Sequence, residues 1–75
     1  MRATYDRSVD AAMIYLRDIE PGGAKHTVPV WAEEAWAKGD VILDFDGEGR
    51  LIGIEVLNAS KTLPAEVLAS AERIG

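Results

Sequence analysis

The residues of this chain best suited to chemistry are its carboxylates at Asp44, Asp46, Glu48 and Glu55. In the run DFDGEG (44–49) they crowd oxygen atoms into a glycine-rich turn, the environment a hard cation such as calcium favours. The spacing falls short of a calcium loop, because no third ligand precedes the glycine and no glutamate closes it. Asp46 is expected instead to accept backbone N–H groups of its own turn. Paired carboxylates roughly 5–10 Å apart can also drive acid–base hydrolysis, and Asp44 and Asp46 alternate onto one strand face. No nucleophile, base or oxyanion donor set accompanies them. His26 could act as a general base, but between Lys25 and Thr27 it reads as a surface histidine. Ser60 and Thr62 could be nucleophiles, yet they stand before a helix, where short hydroxyls cap free N–H groups. Gly47, Gly49 and Gly53 sit within a hairpin and not between a strand and a helix, so they form no phosphate cradle. The expectation is a non-enzymatic protein with no catalytic residue, no metal ligand and no cofactor.

The elements that position these residues can be read from period-2 alternation. Val41, Leu43 and Phe45 point one way, and Ile42, Asp44 and Asp46 the other. After the Gly47/Gly49 turn, Ile52, Ile54 and Val56 share one face, and Leu51, Gly53, Glu55 and Leu57 the opposite one. This is a β-hairpin over 41–58, with both glycines expected to supply positive φ. The expected register puts Phe45 against Arg50, Leu43 against Ile52 and Val41 against Ile54. Gly53 then marks a bulge or close packing opposite Ile42. Residues 2–17 read as a first hairpin, with Ala3 and Tyr5, then Ala12, Ile14 and Leu16, on one face, and Met13 and Tyr15 on the other. Pro21-Gly22-Gly23 breaks the chain. KHTVPVWA (25–32) is an edge strand or extended arm, since Pro29 lacks a ladder donor, and 33–39 is one helical turn or a wide loop. Pro64 and Glu66 open a helix whose apolar stripe is Leu63, Val67, Leu68, Ala71 and Ile74. Together these predict a single α+β domain over 1–75. Two antiparallel hairpins and an edge strand make one sheet, covered on one face by a C-terminal helix.

Composition narrows the function classes. A 75-residue chain with 0 Cys has no disulfide or cysteine–zinc staple, and a domain this size buries only roughly 60% of its unfolded surface. Self-association is a common remedy. The net charge of −5 and the scattered basic residues disfavour nucleic acid and favour a basic protein partner. No apolar run approaches a membrane span, and MRATYDRSVD lacks a signal-peptide core. A cytoplasmic location is expected, with no nucleic-acid or membrane partner.

Four stretches stand together: TYD (4–6), AAMIYLR (11–17), VILDFDGEGRLIGIEVLNAS (41–60) and LPAEVL (63–68). In them the chain resembles the small bacterial and archaeal family known as domain of unknown function 2283. Its pattern is an N-terminal YD…A…Y-I, a central L-D-x-D-x-x-G-R-x-x-G-I-E-I/V-L block and a C-terminal L-P helix. The likeness covers about two-thirds of the chain and is weakest over 18–40, where Trp31 and Trp36 lie. It carries over no catalytic residues. Some relatives are encoded beside small toxin-like proteins, which implies an antitoxin-like, partner-neutralising role.

Two surfaces stand out as interfaces. With the helix on one sheet face, the other exposes Met13, Tyr15, Ile42, Leu51 and Leu57 beside Asp44 and Glu55, too apolar for an open surface. Trp31 and Trp36, with Val28, Val30 and Ala35, form either a docking arm or a cap on the core. The expected function is an interaction module, a homodimer or higher oligomer, that also suits a small basic partner. The alternative is a small-ligand or cation-binding protein using the acidic turn.

Overall fold

The computed structural model describes residues 1–75 and contains a six-stranded mixed sheet with two short helices. Strands β1 (Arg2–Asp6) and β2 (Ala11–Tyr15) form the first hairpin, and β4 (Val41–Phe45) and β5 (Leu51–Leu57) form the second. They join through an antiparallel β2–β5 pairing. Strand β3 (His26–Val30) lies at one edge against β4, where Pro29 is tolerated because an edge strand can spare a donor. Helix α1 (Ala59–Thr62), helix α2 (Ala65–Ser70) and strand β6 (Glu72–Ile74) complete the chain, giving the sheet order β3-β4-β5-β2-β1-β6. Residues 33–39 hold a turn closed by the Ala37 N–H on the Glu34 carbonyl and no regular element.

The core lies between the sheet and α1/α2. Tyr5, Ala12, Val56, Ala59 and Ala71 form its buried centre, and Ala3, Ile14, Val41, Ile54, Leu63 and Leu68 pack around it. Alternation places these strand residues on one face, as their sequence pattern requires. Asp10 fastens the helix layer to the first hairpin. Its backbone takes the left-handed region at φ 51°. Its carboxylate accepts from the Tyr5 hydroxyl at 2.7 Å and the Ser60 N–H at 2.9 Å, and its other oxygen accepts from the Ser60 hydroxyl at 2.7 Å. A residue outside the helix thus satisfies a free N–H of α1. The Tyr5 hydrogen bond and then Ser60 hold the Asp10 carboxyl below its ordinary range, while the same Asp10 contact raises the Tyr5 phenol.

Four expectations are corrected. The second hairpin pairs Val41 with Val56, Leu43 with Ile54 and Asp44 with Gly53, so its register is two residues from the expected one. The Asp46 carboxylate accepts from the N–H groups of Glu48 and Arg50, which widens the turn, and a bulge between Asp44 and Phe45 absorbs the extra residue. Only Gly49 in that turn has positive φ, at 82°. The C-terminal helix is also not continuous. Leu63 and Pro64 are extended and split it, and it ends at Ser70 because Ala71 turns extended at ψ 144°. Residues 72–74 then pair in parallel with β1, covering an otherwise free edge. Ile74 therefore leaves the helical stripe and lies opposite Asp6. Finally, Ser60 and Thr62 lie inside α1 and neither caps the helix that follows, whose N-cap is Pro64 with no side-chain hydrogen bond.

Candidate functional site

The sheet face away from the helices carries the most unusual chemistry. Cross-strand pairing lays Thr4, Met13, Glu55, Ile42 and Pro29 in one row and Arg2, Tyr15, Gly53, Asp44 and Thr27 in the next. Gly53 is the low point of the second row. A Cβ there would come within 2.6 Å of Met13 Cε and 2.9 Å of Ile19 Cδ1, so its missing side chain is what lets both residues close in. Ile19 belongs to the segment 18–24, which turns at Gly22 and is closed by the Gly23 N–H on the Glu20 carbonyl at 2.7 Å. That segment partly covers the face and leaves a groove of about 590 Å³.

Two polar side chains in this groove are nearly sealed from solvent. Asp44 is 2% exposed and Thr4 3% exposed, and neither Asp44 Oδ1 nor Thr4 Oγ1 has a hydrogen-bond partner. Buried polar atoms are rarely left this way, because each lost partner costs free energy. For Asp44 the neighbouring Glu55 supplies one explanation. Burial first, then a hydrogen bond with Asp44 and its negative charge, pushes the Glu55 carboxyl up to about 7. The Glu55 carboxyl thus keeps its proton close to neutrality, as an acid beside a second carboxylate does. No such neighbour explains Thr4.

The sequence-derived candidates separate on this framework. Asp44 and Glu55 come together, whereas Asp46 lies beyond the strand end. There the Arg50 and Glu48 N–H groups and Arg17, at 2.8 Å, hold it below the ordinary carboxylate range. As expected, Asp46 serves its own turn. Glu48 pairs with Arg50 at 3.0 Å on the outside of that turn. No group of three or more His, Cys, Asp or Glu is placed to hold a metal ion. His26 is exposed at the start of β3.

Of the expected interface residues, Met13, Tyr15, Ile42 and Leu57 share the groove face, half-buried. Leu51 does not join them, since the bulge sets it against Phe45 on the other face. Trp31 and Trp36 are 61% and 76% exposed, so they do not cap the core. The Ala32 N–H on the Asp40 carboxylate at 2.6 Å ties their loop back to the sheet. On β3, Val28 and Val30 stand opposite Leu43 and Val41 on the helix side, while the main helix contacts fall on β2 and β5. That leaves Val28 and Val30 exposed on the edge strand and Trp31 and Trp36 exposed in the loop that follows it, four large apolar side chains open to solvent; these residues are called the shelf below.

Sequence reasoning missed the covering segment, Thr4 and Asp10. Ile19 between charged neighbours gave no periodic signal, and the partners of Asp10 lie as far as 50 residues away.

The two-hairpin framework with its glycine turn spans the region matched by a family model described as a protein of unknown function (DUF2283), over residues 2–60. The chain belongs to the DUF2283 family. Within it, the matched region carries the groove residues Thr4, Met13, Asp44 and Glu55 as well as the Trp shelf, and stops inside α1. No curated protein and no solved structure matches the chain. No helix is long and apolar enough to cross a membrane.

Proposed function

We propose that this DUF2283 protein is a non-enzymatic protein-interaction module that works as a homodimer in the cytoplasm through the shelf of Val28, Val30, Trp31 and Trp36. The observation that carries the reading is the exposure of both tryptophans beside two exposed valines of an edge strand. Large aromatic side chains held in water are costly and are the residues most used as interface anchors. The domain also has little interior of its own, with 10 of 75 residues buried, so extra buried surface would stabilise it.

The groove face is a poorer self-contact than the sequence suggested. Placing it against its own copy would bring two Asp44–Glu55 pairs into a dry interface, where desolvation outweighs attraction. Pro29 likewise blunts direct pairing of β3 edges. Side-chain docking through the shelf avoids both costs.

A second reading, neutralisation of a small basic protein, rests on the net charge of −5, which draws a cationic partner and resists nucleic acid. Sedimentation velocity over a concentration series tests the first reading. A dimer that a Trp31→Ala/Trp36→Ala variant converts to a folded monomer with an unchanged circular dichroism spectrum supports it. A monomer at every concentration refutes it.

A further inference from the structure

The groove on the open sheet face is a second, separate feature, and nothing in the shelf accounts for it. Its lining includes the carboxylates Asp6, Glu20, Asp44 and Glu55, and no Lys, Arg or His. The two arginines at its Tyr15 end lie outside the lining itself. Arg2 lies 4.1 Å over the Tyr15 ring and Arg17 is bonded to Asp46. The remaining wall is largely apolar, with Met13, Tyr15, Ile19 and Leu57 prominent. A volume of about 590 Å³ falls in the range of small-molecule sites, which combine an apolar wall with a few convergent polar groups.

We propose that this groove binds an organic ammonium ion, with the Asp44–Glu55 pair as its counter-ion, the Met13–Ile19 wall around its apolar body and the Thr4 hydroxyl at its far end. Three independent observations converge on that ligand class. The charge lining the groove is of one sign. Asp44 Oδ1 and Thr4 Oγ1 are both buried without hydrogen-bond partners, and for Thr4 no neighbouring acid accounts for it. The carboxylates are not clustered as a metal ion needs, which leaves a cation that brings its own apolar surface. Thr4 and Glu55 are two strand spacings apart through Met13, roughly 10 Å, so the ligand is elongated and not a compact ion.

An ammonium head would take the place of the proton on Glu55. The other titratable groups lining the groove are Asp6 from β1 and Glu20 from the covering segment, and both also favour a cation. Binding should therefore release a proton and tighten about thirtyfold between about pH 5.5 and about pH 8.

The test is a titration with hexylammonium chloride, hexan-1-ol and sodium hexanoate, followed by two-dimensional NMR of the full chain. Hexylammonium should shift the Thr4, Met13, Gly53 and Glu55 signals, with the expected pH dependence, while the alcohol and the anion should leave them in place. An Asp44→Asn/Glu55→Gln variant, checked for unchanged dispersion of the remaining signals, should bind at least about tenfold more weakly. The charge-matched ligand series on the unaltered protein needs no variant and stands if that variant misfolds. Equal shifts with hexanol would overturn the proposal, as would shifts confined to Trp31 and Trp36. So would groove signals that move on dilution of the protein alone, because a second copy would then occupy the site.

Discussion

Replacing Glu55 with Gln should make the protein more stable in mild alkali, an unusual outcome for a change at a half-buried polar position. Glu55 titrates at about 7 in the folded protein against an ordinary value of 4.5. A carboxyl raised on folding binds its proton more tightly in the native state. Its contribution is therefore fully present below about pH 4.5 and is lost as pH rises through about 7. The gap between those values sets a ceiling of about 3 kcal/mol. Glu55 remains partly open to water, and solvent screening reduces the effect to about 1 kcal/mol. For a domain of this size that corresponds to about 4–8 °C in melting temperature. Wild-type protein should lose this amount between about pH 5 and about pH 8, whereas Glu55→Gln, whose amide can still donate to Asp44, should hold steady. Thermal unfolding followed by circular dichroism over that range measures both curves. Glu20→Gln, on the same groove but away from the pair, should follow the wild-type curve. A wild-type melting temperature that is flat or rises towards about pH 8 would refute the raised Glu55 carboxyl.

Other outcomes follow from the same contacts. Asp10→Ala removes the partner of the Tyr5 hydroxyl and of Ser60, and should lower the melting temperature more than the same change at Asp18; calorimetry compares the two. Asp10 and Asp46 are both held below their ordinary range, so their contribution is present at neutral pH and should disappear as acid protonates them, giving a second fall in stability below about pH 4. Gly53→Val should overpack the contact with Met13 and Ile19, costing about 1–3 kcal/mol and speeding amide exchange across 19–24. Adding salt screens the repulsion between two chains of net charge −5 and should strengthen the proposed dimer, which sedimentation at two ionic strengths would register.

Much of the architecture was legible in the sequence because alternation is a local signal. Ala3/Tyr5, Ala12/Ile14 and Ile54/Val56 each declare a buried face without reference to distant residues, and the two hairpins follow. What alternation cannot supply is register across a turn that uses side-chain hydrogen bonds. Asp46 binds two N–H groups of its own turn, a bulge follows, and Leu51 changes face. The end of the chain failed for a different reason. Leu63 to Ile74 carries a helical stripe, but the free edge of β1 offers residues 72–74 backbone partners that a longer helix could not. Tertiary hydrogen bonding outweighed a weak helical preference. At the groove, the acid pair was visible as two residues on one face, and the structure added the diagonal contact that joins them. Thr4 and Ile19 became relevant only when strands far apart in sequence were laid side by side.

The most direct test of the interaction-module reading is an isotope-filtered nuclear Overhauser experiment on a mixture of labelled and unlabelled protein. The account predicts intermolecular contacts among the side chains of Val28, Val30, Trp31 and Trp36 and none at Met13, Ile42 or Leu57. Contacts concentrated on the groove residues would contradict it, and so would their complete absence at millimolar concentration.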